Sequence, residues 1–288
     1  MTETLKLIYD TAKVRLGFLI MACAVAGVVV APDSRLSAWQ IAVLGFATLL
    51  ASCSAGAFNQ LYERDLDARM RRTGSRPFVT GRFDADGRWM AAIVAALLVA
   101  VAAAAVATNW LAALYVFLGA FTYGVVYTVW LKRRTWLNIV VGGLAGSFAV
   151  LAGAAAAGAS LTAVPLILAT VLFLWTPPHF WALAFACKED YRAAGVPMLP
   201  VVASDALATR SILAHAVVMV LLSLLPVAFG MGWIYLVGAA AGGAYFVRAC
   251  WQLLRRPGTA LAWRAFAASI VQLGLLLTAA IADRLLLG

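Results

Sequence analysis

The chain has 288 residues, 65% of them hydrophobic and only 12% charged, with a mean hydropathy of +0.95. A soluble domain is about half apolar and about a quarter charged, so a water-soluble globule is excluded and the apolar surface must face lipid. The formal charge of +10 fits basic loops beside anionic lipid. It does not point to nucleic acid, because the arginines stand at helix ends rather than on a separate basic domain.

Apolar spans run over residues 16–31, 39–58, 89–107, 110–131, 135–157, 161–186, 212–231, 233–254 and 260–281. Most have the roughly 20 residues that cross about 30 Å of hydrocarbon. The first is short, and Leu5–Val14 is expected to extend it. It could pass for a signal peptide, but the spans behind it make it an uncleaved helix. The alternation of a membrane barrel is absent, so the expectation is an all-α bundle of about nine transmembrane helices around a central cavity. No linker separates the spans, and residues 1–288 are expected to form one domain.

Charge orients the bundle. With the N-terminus in the cytoplasm, every Lys and Arg except Arg35 and Arg284 lies inside, and of the acids only Asp33 and Asp283 lie outside. The positive-inside rule selects that topology. Trp39, Trp89, Trp110, Trp130, Trp136, Trp233 and Trp263 fall at span ends, as in an interfacial belt. Cys23, Cys53, Cys187 and Cys250 are scattered and read as small apolar side chains, with neither a disulfide nor a metal role.

Two cytoplasmic connections, about 59–88 and 187–211, are long, and function is expected to concentrate there as the mouth of an active site. The first carries Asn59, Glu63 and Asp67 at i, i+4 and i+8, on one helix face with about 40° of drift per step. Arg71 extends that row, and Asp65 points away from it. Amide and carboxylate oxygens suit Mg²⁺, which usually shares its shell with substrate phosphates. Arg71, Arg72 and Arg76 can grip phosphate oxygens bidentately. The cluster therefore reads as a Mg²⁺–diphosphate site, against the plainer reading of a solvated helix end laced with Glu–Arg pairs. Asn59 tips the balance, since it has no ion-pair role.

The sixth span contains Pro177, Pro178 and His179. The prolines are expected to break the helix roughly 15 Å inside its charged end. His179 stands eleven residues before Asp190, nearly on the same face, so it can look along the cavity wall toward that carboxylate. The alternative is a neutral histidine bonded to a carbonyl that the prolines free. His215, with no acidic neighbour in sequence, reads as structural. A third cluster, Tyr123 to Asn138, holds Lys132 and Arg133. These anchor the turn to the interface, or add charge for a diphosphate.

These stretches carry a resemblance. The run Asn59-Gln-Leu-Tyr-Glu63-Arg-Asp65-Leu-Asp67 through Arg76-Pro77 resembles the first acidic motif of the UbiA-type intramembrane prenyltransferases. With Tyr127-Thr-Val-Trp-Leu-Lys132-Arg-Arg-Thr-Trp-Leu-Asn138, Thr176-Pro-Pro-His-Phe-Trp181 and Asp190-Tyr-Arg, it is similar to the branch of protoheme IX farnesyltransferases, or haem O synthases. The similar stretches cover about a quarter of the chain.

The resemblance implies a nine-helix fold in the cell inner membrane and Mg²⁺ as cofactor. It implies transfer of farnesyl from farnesyl diphosphate to the 2-vinyl group of haem B, within a haem A and oxidase-assembly pathway. It implies that Asn59, Glu63 and Asp67 hold the first Mg²⁺ and that Arg71 and Lys132 lie near the diphosphate. Lys188, Glu189 and Asp190 occupy the region of a second motif, Lys188 for the diphosphate and Glu189 with Asp190 for a second Mg²⁺. His179 would bind or orient haem, or assist addition of water. Two departures stand out: Lys13-Val14-Arg15 replaces a common Lys-Pro-Arg, and no proline follows near Gly146. Another aromatic or tetrapyrrole acceptor is the first alternative. A transporter or non-catalytic haem-handling protein is the second, since transporters also break helices near mid-membrane.

Overall fold

The computed structural model describes residues 3–32 and 34–288, and Asp33, expected at the outer end, lies outside the described residues. The architecture is helical throughout these residues. An amphipathic α1 (Glu3–Thr11) meets α2 (Val14–Val29) at a 50° bend. The bend is made at Lys13, whose φ of 52° places a side chain in the left-handed region that normally suits glycine. Such a residue persists only where its surroundings hold it there.

The chain then rises and falls. After α3 (Ala38–Tyr62) comes a short α4 (Arg64–Asp67), then α5 (Gly87–Ala107) and α6 (Trp110–Phe121). From Thr122 to Leu131, α6 continues as a π-helix, which the apolar pattern did not reveal. A short α7 (Asn138–Gly142) feeds α8 (Leu144–Ala156), followed by α9 (Ala163–Ala186), α10 (Lys188–Ala193) and α11 (Leu199–Val202). Helices α12 (Asp205–Leu224), α13 (Trp233–Arg255) and α14 (Thr259–Leu286) complete the bundle. Among the described residues, eight helical segments are long and apolar enough to cross a membrane, and the bent α1–α2 pair makes up to nine.

Alternate helices put the charges at one end, here called the mouth. The opposite end holds the α2–α3, α5–α6 and α8–α9 connections. Trp39, Trp110 and Trp233 stand exposed at the opposite end, and Trp130, Trp136 and Trp263 at the mouth. Two belts follow, as an interface at each end requires.

Three features of the long segments differ from expectation. Residues 59–88 and 187–211 are not plain loops: α3 runs past Asn59, and α12 begins at Asp205. The prolines do not break α9, which is helical from Ala163 to Ala186. Pro177 and Pro178 are buried, Thr176 bonds back to the Leu172 carbonyl at 2.9 Å, and Trp175 Nε1 is anchored on the Ser269 carbonyl of α14 at 3.0 Å. Packing therefore holds the ladder across the missing donors. A Cβ at Gly143 would lie 3.0 Å from the Phe173 carbonyl, the one that Pro177 deprives of its partner. Asp283, expected as an outer charge, is buried. It accepts from the N–H groups of Gly232 at 2.6 Å and Tyr235 at 3.0 Å, and so caps α13.

Small residues close the bundle far from the mouth. A Cβ at Gly153 would stand 1.9 Å from the Ala24 carbonyl, and one at Gly27 would stand 2.1 Å from that of Val150. Only glycine allows α2 and α8 to cross so closely. The next inward residues, Cys23 and Ala149, already line a cavity. Thus the crossing seals the bottom of a chamber that opens toward the charges.

Candidate active site

The chamber has a volume of about 980 Å³, at the upper end of ligand sites, which span about 300–1,000 Å³. Its inner wall is apolar, with Leu19, Ile20, Ala149, Leu172 and Trp175 among its residues. Its outer rim is polar, with Lys13, Asn59, Asp67, Arg72, Arg76 and Lys132.

At the rim the expected row forms as a helix face. The Glu63 N–H bonds to the Asn59 carbonyl at 3.0 Å and the Asp67 N–H to the Glu63 carbonyl at 2.8 Å, so the register of four persists through the α3–α4 junction. Asn59, Glu63 and Asp67 are all buried. Each oxygen donor meets a cation. Lys13 Nζ donates to Asn59 Oδ1 at 2.6 Å, Lys132 pairs with Glu63, and Arg76 Nη1 donates to Asp67 Oδ2 at 2.6 Å. Buried charges cost too much to stand alone, so this interleaving is what allows the row to be built.

The amide of Asn59 has one workable orientation. Its Nδ2 donates to Thr128 Oγ1 at 3.0 Å, because the Thr128 hydroxyl proton is spent on the Tyr123 carbonyl at 2.8 Å. Asn59 Oδ1 is left to face the rim. The π-helix makes this possible: its i→i+5 bond from Lys132 N–H to the Tyr127 carbonyl at 2.9 Å brings Tyr123, Tyr127, Thr128 and Lys132 to one side.

The row stops sooner than its spacing predicts. After Ala68 the chain turns, the Met70 N–H bonding to the Asp67 carbonyl and the Gly74 N–H to the Met70 carbonyl. Arg71 therefore leaves the face; it is 92% exposed and approaches Asp190. The chain doubles back instead, and Arg76 supplies the cation for Asp67. Arg72 remains at the rim, its backbone N–H bonded to Asp190 Oδ2 at 3.2 Å.

The other expected residues are set apart from the rim. Arg133 makes a two-point contact with Asp65 at 2.8 and 2.9 Å, Lys188 pairs with Asp205 at 2.7 Å, and Glu189 with Arg192 at 2.5 Å. The Arg133 guanidinium holds the Asp65 carboxyl below the usual range. Asp190 faces the Arg71–Arg72 segment rather than His179. His179 lines the inner wall, stacked on Trp175, with Nδ1 2.6 Å from Ser269 Oγ.

Sequence reasoning missed Lys13 as a site residue, along with Tyr123, Tyr127 and Tyr191. Lys13 also donates to the Tyr123 hydroxyl at 2.7 Å, which pins the left-handed bend. Tyr191 lines the cavity, and burial pushes its hydroxyl up, so it stays a proton donor. Only the Lys13-Val14-Arg15 departure hinted at the first, and nothing local marked the tyrosines.

The sequence from residue 20 to residue 273 matches the UbiA prenyltransferase family. The chain belongs to that family. It is 52% identical to protoheme IX farnesyltransferase 2 of Paramagnetospirillum magneticum over 288 residues, all of both chains. It is 43% identical to protoheme IX farnesyltransferase 1 of the same organism, over 96% of this chain and 97% of that one. A UbiA homologue from Archaeoglobus fulgidus, solved with DMAPP and Mg²⁺, shares the fold with a TM-score of 0.71. It has 22% identity and covers 98% of this chain and 99% of that one. A structure of digeranylgeranylglyceryl phosphate synthase shares it with a TM-score of 0.79 at 18% identity, covering 98% and 99%. The chain is thus a multi-pass membrane prenyltransferase, and the transporter reading falls away.

Proposed function

We propose that the chain is a haem O synthase: it transfers farnesyl from farnesyl diphosphate to the 2-vinyl group of haem B, with addition of water, giving haem O and pyrophosphate. One observation carries the proposal. A cluster of three part-buried cations, two buried carboxylates and a buried amide stands at the mouth of an apolar chamber in a prenyltransferase fold. The name shared by its relatives supplies the acceptor. Residues 1–288 act as one domain in the cell inner membrane, N-terminus in the cytoplasm, with segments 59–88 and 187–211 around the mouth.

The donor set fits Mg²⁺. Asn59, Glu63 and Asp67 offer hard oxygen atoms, and Glu63 Oε1 is buried with no partner. These three residues would hold the ion, which when bound supplies positive charge against the leaving diphosphate. Lys13, Arg76 and Lys132, with Arg72 beside them, outnumber the carboxylates and give the rim the positive balance a diphosphate needs. Asp190 acts indirectly, by holding the Arg72 segment. Glu189, Lys188, Arg71 and Arg133 frame the mouth rather than touch the reacting groups.

The chemistry follows from the division of the chamber. The rim cations favour loss of diphosphate from farnesyl C1, leaving an allylic cation. The apolar wall keeps water from that cation. The vinyl group attacks C1, its positive charge passes to the carbon next to the ring, and water adds there with loss of a proton. His179 faces the haem in this reading.

The test is a membrane assay with haem B, farnesyl diphosphate and Mg²⁺, read by mass spectrometry. The expected product is haem gaining one farnesyl plus water, Mg²⁺-dependent, and lost in Glu63→Gln and Asp67→Asn. Folded protein that makes no such product, with or without the substitutions, overturns the assignment of haem B.

A further inference from the structure

We propose that Ser269 is a positioning residue that fixes the tautomer of His179, so that the imidazole presents an unprotonated Nε2 to the iron of the haem in the chamber. The proposal rests on haem B being the acceptor.

The imidazole of His179 is held on nearly every side. Trp175 stacks on it at 4.2 Å and 18°, Phe266 stacks on it at 4.5 Å and 26°, and the Phe180 ring stands edge-on at 4.9 Å. One ring edge is occupied as well, since Nδ1 lies 2.6 Å from Ser269 Oγ. That hydroxyl has a single proton, and it is donated to the Phe266 carbonyl at 2.6 Å. Toward His179, Ser269 Oγ can only accept. Nδ1 therefore carries the proton, and Nε2 carries the lone pair.

Nε2 has no protein partner among the described residues, nor is it among the buried, unpartnered atoms, and the side chain lines the chamber. The free nitrogen opens into the cavity. A histidine serving only as packing would leave Nδ1 unassigned or seal Nε2. A neutral imidazole with one nitrogen on a fixed acceptor and the other bare is the form that binds metals, and such partners set ring orientation and basicity. Ser269 is itself tied down: its side chain is fully buried, and its carbonyl accepts from Trp175 Nε1 at 3.0 Å. The device joins α9 to α14 through two residues and aims one nitrogen.

The experiment is titration of the purified full-length chain with ferric haem B, read by absorption and electron paramagnetic resonance. Wild type should show a nitrogen-ligated haem; Cys23, in the same chamber, would give a distinct thiolate signal. His179→Gly should lose the nitrogen signature and regain it on adding imidazole. Ser269→Ala should weaken haem binding about 10–100-fold and shift the spectrum. Ser269→Thr, which keeps the hydroxyl, should stay near wild type. A mere packing role gives the opposite order, because Thr adds bulk at a fully buried position. An unchanged spectrum in His179→Gly without imidazole, or a Ser269→Ala protein equal to wild type, overturns the proposal. Wild type that prenylates haem B without the nitrogen signature overturns the ligation and spares the acceptor. Wild type that neither binds nor prenylates haem B overturns both.

Discussion

Two groups of acids stand at the mouth of the chamber, and they are built differently. Glu63 and Asp67 are almost fully buried, and each is matched to a cation that reaches it from a distant part of the chain or from across a turn. Glu189 and Asp190 sit on a single short helix, with side chains 68% and 16% exposed, and lean on arginines at the surface. Pairs of the second kind, whose arginines are 92% and 53% exposed, cost little to form and contribute about 0–1 kcal/mol. A buried set is expensive, and it persists only where the fold supplies every partner. Burial of charge, rather than acidity, separates the group proposed to hold Mg²⁺ and diphosphate from the group that frames the mouth.

The sharpest way to break that comparison is at Lys132. Replacing it with Met leaves the fully buried Glu63 without its cation, a change of a kind that costs about 3–5 kcal/mol. Thermal unfolding in detergent should show a large loss for Lys132→Met and a smaller one for Lys132→Met with Glu63→Gln, where no charge is left unpaired. Turnover should fall at least about a hundredfold in both, since both remove groups that the proposed site sets against the leaving diphosphate. A double variant that recovers activity with stability would reduce the pair to a structural role.

Much of this division was legible in the chain itself. The spans and the shared helix face of Asn59, Glu63 and Asp67 follow from local periodicity. What escaped is what only the fold decides. Arg71 continues the row by count, but the chain turns after Ala68 and Arg76 takes its place. Pro177 and Pro178 break a helix by local rule, yet buried packing carries α9 through them. Lys13 and the tyrosines of the π-helix reach the rim through a left-handed residue and an i→i+5 ladder, and neither has a periodic signature. Asp283 looked like an outer charge because its partners, two backbone N–H groups of α13, are about fifty residues away.

A smaller effect is expected at the second group. Asp190→Ala removes the oxygen that orders Arg72, so the Michaelis constant for the prenyl diphosphate should rise several-fold with turnover at saturation little changed. Asp190→Asn, which keeps an acceptor for the Arg72 N–H, should retain most of the affinity. Glu189→Gln should stay within about twofold in both constants. A hundredfold loss of turnover in Glu189→Gln would place a metal ligand on α10 and erase the contrast between the groups.

The smallest effect is expected where an acid of the first segment behaves like one of the second. Asp65 stands two residues from Glu63 but is 54% exposed, and its carboxyl is held below the ordinary range by the hydrogen bonds from Arg133. Because the folded pKa is depressed, whatever this pair contributes to stability is present above the unfolded carboxylate's pKa. It is lost only as pH falls through the lower, folded value. Between roughly pH 5 and 8 the pair is fully formed and should give no slope to stability or activity. Asp65→Asn should therefore follow the wild-type pH profile across that window and lie within about twofold of its turnover, the difference from wild type narrowing only in stronger acid. A profile that separates near neutral pH would mean that Asp65 senses charge in the chamber, and that the boundary between buried and exposed acids lies one helix face further out than Asn59, Glu63 and Asp67 define.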